Sequence, residues 1–241
     1  MLLTEQYPYR VEMHAHTSPV SGCSQIEPEV LVDTYEQRGY DAVVITNHFH
    51  DGFLQMSESE AVDYYLSDYR KAQAHAKGKK LRVLLGMEIR FTENMNDYLL
   101  YGIAEEDVAR ARPYLDRGID AFYKEFKTSD NMILQAHPFR DGMVRANPES
   151  LDGMETFNMH PHHNSRCALA QQYAAQHPHF VTIAGTDYHN FGYEGLTALR
   201  MKEAPDPKTL VAALQSRDYL LEIAGAVLLP YADSVYTNIQ P

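Results

Sequence analysis

The sequence predicts an α/β fold, a (β/α) barrel that forms a single domain over residues 1–241. About seven apolar, strand-like runs alternate with helical segments rich in Glu, Lys and Ala, which is the order of βα units around a parallel sheet. Ligand-type side chains (His, Asp and Glu) follow several of these runs, at the strand ends where a barrel collects its functional groups. An open, doubly wound sheet fits less well, because a Gly-rich phosphate loop is absent and the ligand-type residues are spread over too many strands for one crevice.

Two histidines, His14 and His16, stand at the end of the first predicted strand, residues 9–14. Alternate side chains of a strand point to the same face, so both imidazoles can bind one metal ion. Two polar residues on a half-exposed strand would give the same pattern without a metal. Five later stretches favour the metal, because each is an apolar run that ends in a ligand-type residue. These stretches are residues 43–48, 83–88, 97–102, 133–137 and 181–189.

The other predicted elements alternate along the chain. Strands are predicted at residues 41–46, 81–87, 98–103, 132–136, 153–157, 180–184 and 219–223, with one more strand after Gly195. Helices are predicted at residues 28–38, 58–77, 105–127, 165–176 and 207–216. Pro28 suits the first turn of its helix, and Ser165 can cap another. Gly39 and Gly78 are typical helix ends.

Composition narrows the function. The net charge of −12 argues against a non-specific nucleic-acid binder, since phosphate contacts need a basic face. A small anionic substrate is compatible with this charge, because bound metal ions would reverse the local sign. The two cysteines, Cys23 and Cys167, form no disulfide framework and fit a reducing compartment. Residues 1–6 lack the features of a signal peptide and no run approaches membrane-spanning length, so we expect a cytoplasmic protein without a membrane partner. The oligomeric state is left open.

The number of candidate ligands predicts more than one metal ion. Five histidines, one glutamate and one aspartate exceed what one tetrahedral ion can use, since catalytic zinc has about three protein ligands plus water. Two or three ions are therefore expected, with Glu88 as the bridge. Mixed imidazole and carboxylate ligation suits zinc, manganese or iron. Ions roughly 3.5–4 Å apart would hold a bridging hydroxide and neutralise a phosphoryl group, which is a route to the hydrolysis of phosphate esters. The candidate ligands are His14, His16, His48, Glu88, His137, Asp187 and His189.

Five motifs resemble, in the same order, those of the PHP (polymerase and histidinol phosphatase) superfamily, and in particular its free-standing, histidinol-phosphatase-like members. The motifs are His14-Ala15-His16-Thr17, Ile45-Thr46-Asn47-His48, Gly86-Met87-Glu88, Ala136-His137-Pro138 and Gly185-Thr186-Asp187-Tyr188-His189. The resemblance covers nearly the whole chain. It implies a distorted (β/α)7 barrel, similar to a TIM barrel, with two or three metals and hydrolysis of phosphate esters. By motif matching it assigns His14, His16, Glu88 and Asp187 to the first ion, Glu88 and His137 to the second, and His48 and His189 to the third.

Three positions depart from the pattern of this superfamily. Asn47 stands where members commonly have Asp. The loop after the first motif has Cys23 in place of a His or Asp, and we expect a small buried thiol there, with a substitute soft ligand as the alternative. The fourth strand often adds a histidine to the second ion, and the matching residue here is Tyr98, beside Asp97. These departures predict weaker or missing second and third metal positions.

Phosphate binding would need cations near the metals. Arg140 follows His137 by three residues, should emerge at the same rim, and can bind phosphate bidentately. A solvated loop arginine is the equal alternative. His163 and Arg166 follow the sixth strand and could position the substrate or donate a proton to the leaving group. A solvent-exposed surface role is the favoured alternative for His163 and Arg166, and also for His50, His160 and His162.

The sequence thus favours a metal-dependent phosphoesterase that acts on a small phosphorylated metabolite. Histidinol phosphate is the substrate best known in the superfamily that it resembles. Glu88, Asp187, Arg140 and His163 are the candidate catalytic residues. Two alternatives stay open: a metal hydrolase of the amidohydrolase type, and a metal-stabilised interaction domain without activity. The final Asp-x-His pair and the extra His48 favour the phosphoesterase, because both supply a third metal position.

Overall fold

The computed structural model describes residues 3–230, in which strands and helices alternate. The strands are β1 (Tyr9–Ala15), β2 (Ala42–Ile45), β3 (His48–Phe49), β4 (Arg82–Leu85), β5 (Met87–Arg90), β6 (Asp97–Tyr101), β7 (Met132–Gln135), β8 (Gly153–Asn158), β9 (Val181–Gly185), β10 (Thr197–Met201), β11 (Leu220–Ile223) and β12 (Ala226–Leu228). The helices are α1 (Leu3–Gln6), α2 (Pro28–Gln37), α3 (Glu58–His75), α4 (Glu105–Ala111), α5 (Gly118–Phe126), α6 (Cys167–Ala174) and α7 (Pro207–Ser216).

The strands form two six-stranded sheets. The first has the order β12-β11-β10-β1-β2-β4, in which β1, β2 and β4 are parallel and the other three strands extend them as an antiparallel meander. The second has the order β3-β5-β6-β7-β8-β9, with β6 antiparallel to both neighbours. The fold is therefore mixed α/β. Within residues 3–230 the sheets do not close into one ring, so the predicted seven-stranded barrel is not confirmed.

The two sheets meet on both sides of the candidate site. Gly86 alone separates β4 from β5, so the chain passes directly from one sheet into the other. A Cβ at Gly86 would lie 2.6 Å from Val44 Cγ1, which explains why only glycine fits. On the other side, His16 N donates to Tyr188 O at 2.9 Å and Tyr188 N donates to His14 O at 3.1 Å. The ends of β1, β5 and β9 are thereby held together.

Strand β6 corrects one feature of the sequence analysis. The run at residues 97–102 was expected to end at the site, but β6 is antiparallel to β5 and β7. Its first residue, Asp97, therefore lies at the site, and Gly102 lies at the far end. Because alternate side chains point to opposite faces, the neighbouring Tyr98 enters the apolar core instead of the site.

Apolar layers hold this scaffold together. Strands β2, β6 and β7 are buried along their whole length, and most of their side chains are apolar. Helix α3 covers one side and buries Ala61, Tyr65, Leu66 and Ala72. Each fully buried side chain of leucine or phenylalanine size contributes about 1.5–3 kcal/mol. The site is thus built on packed strands and not on exposed loops alone.

Helix boundaries mostly match the prediction. Pro28 is the first residue of α2, as expected. Ser165 does not cap α6, which begins at Cys167, because the Ser165 hydroxyl donates to Asn158 Oδ1 at 3.1 Å. No helix within residues 3–230 combines the length and the apolar character needed to cross a membrane. The predicted single domain, residues 1–241, extends beyond the described range at both ends and stays a prediction.

Candidate metal centre

Four side chains form the deepest part of the site. His14 and His16 leave the end of β1, Glu88 lies in β5, and Asp187 follows β9. His14 Nε2 lies 3.4 Å from Glu88 Oε1 and 3.4 Å from Asp187 Oδ1. His16 Nε2 lies 3.4 Å from Glu88 Oε2 and 3.3 Å from the same Asp187 oxygen. All four residues are buried, so the strands aim two imidazoles and two carboxylates at one point in the interior.

The donor atoms of this cluster fit a metal ion. His14 Nε2 and His16 Nε2 are buried and have no hydrogen-bond partner. A buried polar atom left in this state costs about 1–3 kcal/mol, which ligation of a cation would offset. Three sets of side chains each have ligand atoms that lie within 4.8 Å of one another. The sets are His14, His16 and Glu88; His16, His48 and His189; and His48, Glu88 and Asp97.

The two oxygens of Glu88 face different partners. Oε1 lies 3.0 Å from His137 Nε2, and Oε2 lies 2.7 Å from His48 Nδ1. The His16 ring stacks on the His189 ring, with a centroid distance of 4.1 Å, and is tilted by 31° against the His48 ring at 4.4 Å. All seven side chains that the sequence singles out as ligands therefore lie around Glu88: His14, His16, His48, Glu88, His137, Asp187 and His189.

Arg90 is a charged neighbour that the sequence analysis missed. Its guanidinium donates twice to Asp97, from Nε to Oδ1 and from Nη2 to Oδ2, both at 2.7 Å. Asp97 also lies 3.8 Å from His137 Nε2. Residues 90 and 97 pair directly across β5 and β6, so the antiparallel direction of β6 places this ion pair at the site. If the antiparallel direction of β6 had been known, the position of Arg90 opposite Asp97 would have predicted this ion pair.

Glu155 is a second residue that the sequence analysis missed. Its Oε1 accepts a hydrogen bond from His14 Nδ1 at 2.9 Å, which leaves His14 Nε2 as the ligand atom. Its Oε2 accepts from His137 N and from Asn158 Nδ2, both at 2.9 Å. A Cβ at Gly185 would lie 2.2 Å from Glu155 Oε1, so glycine is required beside this carboxylate. The sequence did contain a hint of this role, because Glu155 is an acidic residue in the middle of the mostly apolar strand β8.

Asn47 holds the loop after β1 in place. Its Oδ1 accepts from Thr17 N at 2.7 Å and from the Ser21 hydroxyl at 3.0 Å, while its Nδ2 donates to Thr17 Oγ1 at 2.8 Å. An aspartate could not make the last bond, which accounts for the amide at this position. The Ser21 oxygen also lies 3.2 Å from His16 Nδ1 and accepts from His48 N at 2.9 Å. Asn47 therefore positions two ligand histidines through one serine.

Arg140 lies against the centre and is not a solvated loop arginine. Its Nη2 donates to Asp187 Oδ2 and, at 3.0 Å, to Asn158 Oδ1. Its Nε is buried without a hydrogen-bond partner. Asp187 thus has one oxygen toward the histidines and the other held by Arg140. Arg166, in contrast, donates to Phe139 O at 2.7 Å and to Asp141, so it fastens a loop.

The charges in the cluster are strongly coupled. Burial lowers the pKa of His14, but the surrounding carboxylates, Glu155 first, outweigh burial and hold this pKa well above its usual value. Burial and the neighbouring imidazoles both hold the pKa of His16 well below its usual value. Burial raises the pKa of Glu88 and Asp187, yet the charge of His14 and other contacts bring both well below the usual range. Both carboxylates are therefore ionised, which favours cations at this point.

Cys23 lies at the mouth of the centre. Cys23 is an exposed residue, so the expectation of a small buried cysteine was wrong. Burial would raise the pKa of Cys23, but interactions with His189 and His48 lower it to about 6. A thiol with such a pKa is mostly thiolate at neutral pH.

The centre opens into a cavity of about 320 Å³. Arg90, Arg140, His160 and His163 line it together with five of the candidate ligands, which are His48, Glu88, His137, Asp187 and His189. His160 is 9% exposed, and its ring lies 4.6 Å from the His163 ring between centroids, so the expectation of a surface role for His160 was wrong. His163 is exposed on the cavity wall. His50 and His162 are exposed or partly exposed and do not line the cavity.

A family model, that of the PHP domain, matches residues 12–223 of the chain. The chain belongs to the PHP domain family. Its motifs were thus correctly identified from the sequence. No curated protein matches this PHP-domain chain significantly.

Solved structures share the fold at low sequence identity. A two-domain protein from Bacteroides vulgatus that contains a predicted PHP-like metal-dependent phosphoesterase is 18% identical, with a TM-score of 0.66 over 89% of this chain. This chain spans 64% of that protein's length. PsfC from Pseudomonas syringae is 14% identical, with a TM-score of 0.59 over 96% of each chain. A Bifidobacterium adolescentis protein, described as a candidate metal-dependent phosphoesterase, is 14% identical with a TM-score of 0.50 over 86% of this chain and 95% of its own. At these identities the likeness concerns the fold.

Proposed function

We propose that this PHP-domain protein is a metal-dependent phosphoesterase that hydrolyses a small phosphomonoester. The observation that carries the proposal is the buried cluster of His14, His16, Glu88 and Asp187, in which the Nε2 atoms of both histidines lack hydrogen-bond partners and lie beside the two carboxylates, at the base of a cavity lined by arginines. Carboxylates and imidazoles serve the metal, and the guanidinium groups suit an anionic substrate.

Two or three divalent ions of zinc, manganese or iron, when bound, would neutralise phosphoryl charge and activate water at neutral pH. We assign their ligands in three positions. They are His14, His16, Glu88 and Asp187 at the first, Glu88 and His137 at the second, and His48 and His189 at the third. Glu88 is the residue suited to serve more than one position, because its two oxygens face different imidazoles.

The remaining side chains act on the substrate. Arg140 lines the cavity and is anchored through Nη2 to Asp187, and we assign its guanidinium to binding a phosphoryl oxygen. His163 stands on the exposed wall of the cavity, where burial first, and then the charge of Arg140, lower its pKa. Its neutral form therefore predominates at pH 7, and we assign it to positioning the substrate in preference to donating a proton.

The cavity limits the class of substrate. Its volume, about 320 Å³, lies at the lower end of the range typical of small-molecule sites. The net charge of −12 does not suit a nucleic-acid track. A small phosphorylated metabolite fits both facts, and histidinol phosphate is one compound of that class.

The test measures phosphatase activity of metal-loaded protein. Chelated protein is reloaded separately with zinc, manganese and iron, and is assayed on p-nitrophenyl phosphate and on a panel of phosphorylated metabolites. We expect turnover with at least one metal and its loss in Glu88→Gln. His75→Ala is the control, because His75 pairs with Asp33 on the surface and should keep the wild-type rate.

Two results would contradict parts of the proposal. The first, wild-type turnover in Glu88→Gln, would remove the role assigned to Glu88. The second, a fully loaded protein that hydrolyses none of the phosphoesters, would overturn the proposed function. Hydrolysis of amides or lactones in the second case would support the amidohydrolase alternative, and a chain that unfolds on chelation without ever showing activity would support a structural metal.

A further inference from the structure

A buried carboxylate outside the metal centre lies in the middle of α3. Asp68 is fully buried, and the other buried residues of this helix are Ala, Tyr and Leu. Its Oδ2 accepts hydrogen bonds from the Thr17 hydroxyl at 3.0 Å and from Val20 N at 3.1 Å, whereas its Oδ1 has no hydrogen-bond partner. Aspartate is rarely fully buried unless it is paired. The carboxylate therefore serves the loop after β1, to which both donors belong.

A continuous path of hydrogen bonds leads from Asp68 to the ligand His16. The Thr17 hydroxyl, which donates to Asp68, accepts from Asn47 Nδ2 at 2.8 Å. Asn47 Oδ1 accepts from the Ser21 hydroxyl at 3.0 Å, and the Ser21 oxygen lies 3.2 Å from His16 Nδ1. These five residues form what we call the Asp68–His16 relay. All five are buried, so each polar atom has to find its partner within the protein.

Backbone donors fix the direction of the first half of the relay. An N–H group can only donate, so Val20 N makes Asp68 Oδ2 an acceptor, and this oxygen takes the Thr17 proton as well. Thr17 Oγ1 is left with lone pairs, which accept from the NH₂ group of Asn47. At the other end of the amide, Thr17 N donates to Asn47 Oδ1 at 2.7 Å. Asn47 is thus held in one of its two possible orientations.

The second half of the relay fixes the proton of His16. His48 N donates to Ser21 Oγ at 2.9 Å and occupies one of its two lone pairs. Asn47 Oδ1 can only accept, so the Ser21 proton points toward it. The remaining lone pair of the Ser21 oxygen faces His16 Nδ1, which must therefore carry a proton. In a neutral imidazole the other nitrogen, Nε2, is then without one.

We propose that Asp68 is a positioning residue of the metal centre, which acts through the Asp68–His16 relay to keep the proton of His16 on Nδ1 and the lone pair of Nε2 free for a metal ion. Nε2 is the nitrogen that lies 3.4 Å from Glu88 Oε2 and 3.3 Å from Asp187 Oδ1. A hydrogen bond at the second nitrogen of a ligand histidine sets both its tautomer and its ring orientation. The inference rests on the proposed function only in requiring that His16 binds a metal.

The relay also accounts for the amide at position 47. Asp68 takes the only hydroxyl proton of Thr17, so the side chain of residue 47 has to donate to Thr17 and to accept from Ser21. An asparagine amide does both. An aspartate would place an oxygen lone pair against that of Thr17, so this departure from the pattern of the superfamily follows from the presence of Asp68.

NMR measures the tautomer of His16 directly. The protein is kept free of metal, because a metal on Nε2 would itself force the proton onto Nδ1. Long-range ¹H–¹⁵N correlation spectra of chelated, ¹⁵N-histidine-labelled protein are recorded at a pH at which the ring is neutral, and the His16 signals are identified by their loss in His16→Gln. We expect the Nδ1–H form in the wild type and a shift toward the Nε2–H form in Ser21→Ala. An Nε2–H form in the wild type, or an unchanged tautomer in Ser21→Ala, overturns the proposal.

Zinc affinity tests the part played by Asp68. Asp68→Ala removes the acceptor of the Thr17 proton and should weaken zinc binding about tenfold, as the loss of a partner that orients a ligand histidine does. Asp68→Asn keeps an oxygen in the place of Oδ2 and should restore the wild-type affinity. Asp63→Ala is the control, because Asp63 lies on the same helix but pairs with Arg70 at the surface.

Two results of the zinc titration contradict the proposal. One is wild-type affinity in Asp68→Ala, and the other is an affinity in Asp68→Asn as low as that of Asp68→Ala. Circular dichroism of the metal-free variants checks that each one folds. If Asp68→Ala does not fold, the wild-type tautomer and the affinity of Asp68→Asn still decide the question.

The two proposals fail separately. An Nδ1–H form of His16 that depends on Ser21, in a protein that hydrolyses no phosphoester, keeps the relay and removes the proposed function. Phosphatase activity in a protein whose His16 has the Nε2–H form does the reverse.

Discussion

Glu155→Gln tests whether the protein controls its metal through a residue that does not bind it. The carboxylate accepts one hydrogen bond at Oε1, from His14 Nδ1, and two at Oε2, from His137 N and Asn158 Nδ2. Glutamine has the same size but only one acceptor oxygen. Its NH₂ group must therefore face either the His14 ring or the two donors on the other side.

The magnitude follows from the bonds that are lost. At least one hydrogen bond to a charged acceptor disappears, which is worth about 1.5–3 kcal/mol. At 1.4 kcal/mol for each factor of ten, this is roughly a 10- to 100-fold change in an equilibrium constant. Loss of a partner that orients a ligand histidine typically weakens metal binding by the same factor, about 10- to 100-fold. We therefore expect the tightest metal site to weaken to that extent in Glu155→Gln.

The measurement is a competition for zinc between the protein and a chromophoric chelator. Glu149→Gln is the control, because Glu149 is exposed and should leave the affinity unchanged. Urea unfolding of both metal-free variants separates an effect on the fold from one on the metal. Zinc affinity in Glu155→Gln equal to that of the wild type would refute the orienting role.

Two further predictions concern the scaffold. Gly185→Ala should destabilise the metal-free protein by about 1–3 kcal/mol and should weaken zinc binding. The reason is that the new Cβ would lie 2.2 Å from Glu155 Oε1 and 2.5 Å from His14 Cβ. Urea unfolding of the variant that matches the wild type would contradict this prediction. Asp206 caps α7 by accepting from Lys208 N and Thr209 N, both at 2.8 Å, and these bonds, that of Thr209 first, lower its pKa. Asp206→Ala should therefore cost about 1 kcal/mol at neutral pH, and this difference should shrink below the unfolded pKa of about 3.9, as protonation removes the charged acceptor. A cost that is independent of pH would contradict the charge-dependent part.

The sequence predicted best those features that depend only on the order of neighbouring residues along the chain. An apolar run that ends in His or Asp places that side chain at a strand end whatever the strand pairs with, which is why His14, His137 and Asp187 were found. The α/β class follows from the same alternation. Whether the strands close into a ring depends on pairing between distant segments, and the two sheets observed within residues 3–230 could not be derived from the pattern.

The wrong predictions share one physical cause: they concern strand direction and side-chain burial, which depend on tertiary contacts. Strand direction is not encoded in composition, so the sequence analysis named Asp97 only as the neighbour of Tyr98 and missed its partner Arg90. Burial of a polar side chain depends on the loops that cover it. Cys23 and His160 were therefore assigned to the wrong environments, since the loops beside them could not be placed from the sequence.

The two carboxylates beside His14 and His16 differ in the number of oxygens that they could offer to cations. Asp187 Oδ2 accepts hydrogen bonds from Arg140 and Asn158, which leaves Oδ1 as the oxygen directed at His14. Both oxygens of Glu88 are directed at histidines, so Glu88 could offer one oxygen to each of two cations. A hydrogen-bond donor added beside Glu88 would occupy one of these oxygens and would reduce the number of ions that the protein could hold.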